Sequence, residues 1–149
     1  IVIAPDGSLS REFGHGADPN CFIPVLGKEA DALEMVWAWK RIAMSMRSGK
    51  PTVAAIVGRC LGGSLELASH CHARIAGHGA VVAQPEPTVG VLPALGGCTM
   101  LHRWSRPEHA DAISERLLTG HDISAEEALA WGILSAIVPI RDLPTASMA

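Results

Sequence analysis

One segment constrains the fold more than any other, because a short apolar run leads through glycines into a helix. Residues 52–57 (TVAAIV) are apolar and partly β-branched, which predicts a buried strand. Gly58 and the pair Gly62 and Gly63 predict a turn, and residues 64–71 (SLELASHC) predict a short helix after it. A buried strand followed by a helix is typical of a parallel sheet with crossover connections, so the segment indicates an α/β protein.

The rest of the chain repeats this alternation of strands and helices. A polar loop is predicted at residues 5–20, after the first strand. Ser105 with Glu108, and Ser124 with Glu127, have the spacing of a capping box and predict the starts of two helices. The predicted class is therefore α/β, in a single domain over residues 1–149. The other predicted strands are residues 1–4, 73–77, 80–84 and 133–138, and the other predicted helices are about 28–47, 99–104, 106–118 and 125–131.

Composition excludes several classes of function. A chain of 149 residues with 48% hydrophobic content suffices for one packed domain. Its formal net charge is -3 without a basic block, so neither a nucleic acid nor a membrane partner is predicted. Four cysteines without paired spacing indicate reduced thiols in a cytoplasmic protein. His70 and His72 are two residues apart and do not share a helix face, so no metal site is predicted.

Two glutamates lie in unusual surroundings. Glu66 stands in an apolar segment, where burial of a charge is costly without compensation. One interpretation is that its charge only favours the N-terminus of the predicted helix. Glu86 lies between Pro85 and Pro87, which predicts an extended backbone within a loop. For Glu86 alone, an exposed turn and a functional carboxylate are equally simple interpretations.

Glycines precede these carboxylates in the chain. Residues 13–19 (FGHGADP) form one glycine-rich segment, and Gly62 and Gly63 form another. Glycine lets the backbone approach a neighbouring group closely, and N–H groups at the start of a helix favour an anion. Tight packing of a turn is the alternative explanation for each segment.

Taken in order, these segments resemble the crotonase, or enoyl-CoA hydratase/isomerase, superfamily. The resemblance reaches from residue 1 to about residue 143, and implies the crotonase-like ββα spiral fold of the ClpP/crotonase type. The chain begins in an apolar run without Met, and we expect it to lack the N-terminal strands and C-terminal helices of the family. The segments that carry the resemblance are GADP (16–19), KPTVAAIVGRCLGGSLELA (50–68), AQPEPTVGVLPALGG (83–97), LLTGHDISAEEALAWGIL (117–134) and IVP (137–139).

The resemblance implies an activity and the residues that perform it. The activity is hydration of a 2-enoyl-CoA to a 3-hydroxyacyl-CoA by a carbon–oxygen lyase of fatty acid metabolism. Coenzyme A enters only as part of the substrate, and the protein is expected to be a homo-oligomer, a trimer or hexamer. Glu66 would activate the water that attacks C3, and Glu86 would supply the proton to C2. The backbone N–H groups of Ala17 and Gly63 would form an oxyanion hole. The resemblance also implies substrate-binding residues, which are Gly16, Asp18, Gly62, Gln84, Leu92 and Pro93.

Other functions stay open from the sequence. The same oxyanion hole serves isomerases, hydrolases and decarboxylases of CoA thioesters, although two glutamates favour a hydratase. A non-catalytic crotonase-like assembly domain is a second alternative, and cysteine nucleophile chemistry at Cys60 or Cys98 is a third. The chain also departs from the usual pattern, with Ser64 where the family commonly has a third glycine and His72 where it commonly has Asp.

Overall fold

The computed structural model describes residues 1–5 and 11–148. Residues 6–10 of the predicted polar loop lie outside the described residues. None of the helices in the described part of the chain combines the length and apolarity that a bilayer crossing requires. Short 3-10 helices occupy Pro19–Val25, Glu86–Val89, Pro107–His109 and Ile140–Asp142. The described strands are β1 (Val2–Ile3), β2 (Val53–Ile56), β3 (Arg59–Leu61), β4 (Ala73–Gly77), β5 (Val81–Ala83), β6 (Ile123–Ser124) and β7 (Ala136–Val138), and the helices are α1 (Glu29–Ser48), α2 (Gly63–Ser69), α3 (Gly97–Trp104), α4 (Ala110–Thr119), α5 (Ala125–Trp131) and α6 (Leu143–Ala146).

The strands form two sheets. The larger sheet has the order β1-β2-β4-β7 with every pair parallel, and Val53 of β2 lies opposite Ala73 of β4. The smaller sheet has the order β3-β5-β6, in which β3 and β5 are parallel and β5 and β6 antiparallel. The parallel pairs are joined through helices, which confirms the predicted α/β class.

A single cluster of buried side chains joins the two sheets to helices α2 to α5. Parallel strands are covered on both faces, which explains why β2 has the small apolar sequence VAAI and is buried over its last three residues. Because α2 packs in this cluster through Leu65 and Ala68, its first turn and the end of β3 are held in place. The largest fully buried apolar side chains of the cluster are Ile56, Leu65, Leu101, Ile113, Ile123, Ile133 and Val82.

The predicted capping boxes had different outcomes. Ser124 is confirmed as the N-cap of α5, since its Oγ accepts the Glu127 N–H at 3.2 Å and its own N–H donates to Glu127 Oε2 at 3.0 Å. The prediction for Ser105 is wrong, because its hydroxyl donates back to the His102 carbonyl at 3.0 Å. Pro107 instead opens a 3-10 helix, where its missing N–H costs nothing, and α4 follows it.

Two further expectations need correction. The glycines at 58, 62 and 63 predict a turn over residues 59–61, but these residues form β3, because Arg59 pairs in register with Val81. The extended backbone predicted at Glu86 is also wrong, since Pro85 has φ −77° and ψ −2° and Glu86 opens a 3-10 helix. Proline is tolerated in the first turn of a helix, so the residues that flank Glu86 permit this conformation.

Candidate active site

The turn from β3 to α2 is the centre of the candidate site. Gly62 has φ +53° and ψ −130°, a conformation that favours glycine, and its N–H donates to the Ala83 carbonyl of β5 at 2.9 Å. An ideal Cβ built on Gly62 would lie 2.8 Å from Oε1 of Glu86. The Glu86 carboxylate therefore occupies the space that a side chain at position 62 would need.

A loop from the start of the chain approaches the same turn. Gly14 joins the edge of β3 through two backbone hydrogen bonds of 3.0 and 2.9 Å, and Gly16 follows with φ +97°. An ideal Cβ on Gly16 would lie 3.1 Å from the Gly63 nitrogen, and one on Gly63 would lie 3.5 Å from the Ala17 nitrogen. Among the described residues, the N–H groups of Ala17 and Gly63 have no hydrogen-bond acceptor. Two free backbone donors thus lie side by side.

Glu66 is held from the opposite side by a loop backbone. The side chain is 3% exposed, and its Oε1 accepts the N–H groups of Leu95 and Gly97 at 2.6 and 2.9 Å. Burial raises the pKa of Glu66, and the two N–H groups and His70 act in the opposite direction. The second oxygen, Oε2, lies 4.0 Å from the ideal Cβ position of Gly63. One oxygen is therefore fixed, and the other faces the glycine turn.

Glu86 is the second carboxylate of the site. With its amide nitrogen turned toward Glu86, Gln84 donates to Oε2 and Oε1 at 3.0 and 3.3 Å, and Gln84 itself is only 2% exposed. Burial raises the pKa of Glu86, and the nearby charge of Glu66 raises it further. Two neighbouring carboxyl groups that resist simultaneous ionisation can keep one proton between them, which suits acid–base chemistry.

Three other predicted residues lie at the margin of this group. Asp18 caps a 3-10 helix, because its Oδ1 accepts the backbone and side-chain N–H groups of Asn20, both at 2.9 Å. Leu92 is 76% exposed, whereas Pro93 is buried. An ideal Cβ on Gly97 would lie 2.5 Å from the Pro93 Cβ, so Pro93 packs behind the loop that holds Glu66.

The groups that hold Glu66 are not evident from the sequence. Its partners are the backbone N–H groups of Leu95 and Gly97, and the Leu95 carbonyl in turn bonds His70 Nε2 at 2.9 Å. Since a carbonyl only accepts, Nε2 carries the proton of this bond. Residue types do not identify backbone donors, but Gly96 and Gly97 were a signal of close backbone approach.

A model of the enoyl-CoA hydratase/isomerase family matches residues 9–148. The chain belongs to this family. It is 35% identical over 140 residues to a probable enoyl-CoA hydratase of Mycobacterium tuberculosis, a match that covers 94% of this chain and 52% of that protein. It is 43% identical over 98 residues to a glyoxysomal fatty acid beta-oxidation multifunctional protein of Brassica napus, covering 66% of this chain and 13% of that protein. A crystal structure of enoyl-CoA hydratase from Bacillus anthracis matches with a TM-score of 0.79 and 29% identity, over 90% of this chain and 50% of that chain.

Membership of the enoyl-CoA hydratase/isomerase family confirms the recognition made from the sequence motifs. The crotonase-like fold is confirmed as well, because the structural neighbours include enoyl-CoA hydratases that match over nearly the whole chain. The chain spans about half the length of the Mycobacterium relative and of the Bacillus structure.

The cysteine alternative finds no support at Cys60. This residue is fully buried in β3, and burial raises the pKa of its thiol, so the nucleophilic thiolate is disfavoured. Cys98 is exposed, and its thiol donates to the Pro93 carbonyl at 3.5 Å. All four cysteines are free.

Proposed function

We propose that this chain carries the active site of an enzyme that hydrates a 2-enoyl-CoA to a 3-hydroxyacyl-CoA. The observation that carries the proposal is the convergence of two carboxylates and two free backbone N–H groups on one glycine turn. Family membership supports a CoA-thioester reaction of the hydratase type. The presence of both Glu66 and Glu86 in one site supports hydration, which needs both a base and an acid.

The N–H groups of Ala17 and Gly63 bind the thioester oxygen in the proposed reaction. Addition of water to C3 moves an electron pair through C2 to that oxygen, and the enolate that forms carries its negative charge there. Fixed donors favour this charge without having to reorganise. Loss of one such donor typically slows a reaction by about 10²–10³.

Glu66 and Glu86 transfer the two protons. Ionised Glu66 takes a proton from water through its free Oε2 while the water oxygen bonds to C3. Protonated Glu86 then gives its proton to C2, the thioester carbonyl re-forms, and H and OH have been added across the double bond. The charge of Glu66 raises the pKa of Glu86, which supports Glu86 as the group that begins protonated. Gln84 orients the Glu86 carboxyl group.

The alternatives lack a comparable observation. A non-catalytic assembly domain gives no role to Oε2 of Glu66, which faces the glycine turn while Oε1 accepts the Leu95 and Gly97 N–H groups. An isomerase or a decarboxylase would use the same N–H groups, but neither adds a water between a base and an acid. A hydrolase also consumes a water, but its acid must reach the departing CoA sulfur and not C2. The proposed chemistry uses protein groups, the acyl-CoA and one water, without a metal or another cofactor.

The assembly and the location of the protein stay predictions. A trimer or hexamer is implied only by the family resemblance. A cytoplasmic location rests on cysteine usage alone, and similar proteins include glyoxysomal, peroxisomal and mitochondrial ones.

The proposal is tested by following crotonyl-CoA through the loss of its conjugated enoyl absorbance in the full-length protein. We expect the parent to be active, and Glu66→Gln and Glu86→Gln each to lower kcat by about 10²-fold or more, the usual contribution of a general acid or base. The matched control is Glu126→Gln on the exposed face of α5, which should leave kcat unchanged. A folded parent without activity, or glutamine variants as fast as the parent, would refute the hydratase assignment.

A further inference from the structure

Ser64 connects the two segments that supply the free N–H groups. It follows Gly63 in α2, and its Oγ accepts the Gly16 N–H at 3.0 Å across 48 residues of chain. Gly16 immediately precedes Ala17. The hydroxyl of the residue that follows Gly63 is therefore bonded to the residue that precedes Ala17.

We propose that the Ser64 hydroxyl is a positioning residue that sets the separation of the Ala17 and Gly63 N–H groups. The proposal rests on the oxyanion-hole role given to these donors above. Among the described residues, the bond from Gly16 to Ser64 is the only hydrogen bond from residues 15–18 to β3 or α2. Gly14 is tied to β3, but the chain turns at Gly16 before it reaches Ala17.

The surrounding backbone leaves room for this one hydroxyl. An ideal Cβ on Gly14 would lie 2.5 Å from Ser64 Oγ, so a side chain at position 14 would displace the hydroxyl. An ideal Cβ on Gly16 would lie 3.1 Å from the Gly63 nitrogen. The absence of side chains at positions 14 and 16 thus allows the loop to close onto Ser64.

Loss of the hydroxyl affects one donor and spares the other. In Ser64→Ala the Gly63 N–H stays fixed by α2, while the Ala17 segment loses its link to the helix. A neutral hydrogen bond of this kind changes an equilibrium by about two- to tenfold. Because the oxyanion is bound most tightly in the transition state, we expect kcat to fall by about five- to tenfold and KM to change by less than about twofold.

The decisive readout is the polarisation of a bound thioester carbonyl. Butyryl-CoA labelled with ¹³C at this carbonyl is saturated and cannot be hydrated, so its infrared carbonyl band reports hydrogen bonding alone. We expect the complete parent protein to lower the band frequency, and Ser64→Ala to lower it by about half as much, since one of two donors is misplaced. The matched control is Ser105→Ala, a half-buried serine whose hydroxyl bonds the His102 carbonyl at 3.0 Å away from the site. This control should keep the full shift of the parent.

A second variant, Gly14→Ala, keeps the proposal testable if Ser64→Ala does not fold. Gly14→Ala places a methyl group against Ser64 Oγ and should reduce the carbonyl shift in the same way. In the carbonyl shift the double variant should match Ser64→Ala, because its methyl group meets only the Ser64 Cβ, at 3.3 Å. The strain of an L-residue at φ +155° should lower the thermal stability of both Gly14 variants. Additive losses in the double variant would contradict the proposal.

The outcomes separate this proposal from the proposed function. A folded Ser64→Ala protein with the full carbonyl shift and the kcat of the parent overturns the role of Ser64. Equal shifts for Ser64→Ala, Ser105→Ala and the parent, with only thermal stability lowered, also overturn it. If the parent shifts the carbonyl band but does not hydrate crotonyl-CoA, the hydratase assignment fails, and a reduced shift in Ser64→Ala still supports Ser64. A parent that binds butyryl-CoA without a shift refutes the oxyanion hole, and the role of Ser64 with it.

Discussion

Gly62→Ala is the substitution that tests the geometry of the site most severely. The methyl group would lie 2.8 Å from Glu86 Oε1, a distance that real Cβ contacts essentially never show. The carboxylate must therefore move by about half an ångström or more to reach an ordinary van der Waals contact. This movement takes it away from the Gln84 amide that orients it.

The expected magnitudes follow from two separate effects. An L-residue at φ +53° and ψ −130° is strained, and such conformations cost about 1–3 kcal/mol of stability. Displacement of a reacting group by about 1 Å lowers a rate by about 10²-fold. For the smaller movement of Glu86 we expect kcat to fall by about 10- to 100-fold.

A matched control separates strain from displacement. Gly79 has φ +76°, and an ideal Cβ there meets nothing within 4 Å. Gly79→Ala should therefore lower the free energy of unfolding by about 1 kcal/mol and leave kcat unchanged. Both variants are measured by urea unfolding and by crotonyl-CoA hydration. If Gly62→Ala loses stability but keeps the kcat of the Gly79→Ala protein, the position assigned to Glu86 is wrong.

Two further predictions concern stability. Glu66→Gln keeps an oxygen for the Leu95 and Gly97 N–H groups and removes the buried charge. Because burial raises the pKa of Glu66 in the folded state, the stabilising contribution of its protonated form is complete below the ordinary value near 4.5 and is lost as pH rises through the raised pKa. In urea unfolding, the stability of the variant relative to the parent should thus rise with pH above the ordinary value near 4.5, and a difference that does not change with pH would contradict the burial argument. Ser124→Ala removes the N-cap of α5 and should cost about 1 kcal/mol without altering kcat, and equal unfolding curves would refute the capping role.

Local sequence patterns predicted most of the fold, and the failures have physical causes. The apolar run at 52–57 and the helical periodicity at 28–47 are long enough to identify β2 and α1. Strand β3 has only three residues between glycines, and its partners come from residues 14 and 81–83. The sequence of residues 59–61 does not by itself predict that they pair with these distant segments. The failed capping box at Ser105 likewise reflects Pro107, which begins a 3-10 helix of its own.

The sequence predicts which residues form the candidate site, but not which backbone N–H groups hold their side chains. Glu66, Glu86, Ala17 and Gly63 were selected from motifs, and they meet around one turn. The N–H groups that hold Glu66 belong to a loop about 30 residues further along the chain, and only the three-dimensional structure reveals them. In the sequence, Ser64 differs from the family pattern, but this difference does not identify the partner of its hydroxyl. Its partner lies 48 residues earlier, beyond the reach of local reasoning.

The most direct test of the central claim is a crystal structure of the full-length protein with 3-hydroxybutyryl-CoA. The proposed function predicts the thioester oxygen at about 2.7–3.1 Å from both the Ala17 and the Gly63 nitrogen. It also predicts the C3 hydroxyl within hydrogen-bonding distance of Glu66 Oε2 and of the Glu86 carboxylate. A thioester oxygen that contacts neither nitrogen, or a C3 hydroxyl remote from both carboxylates, would contradict the claim.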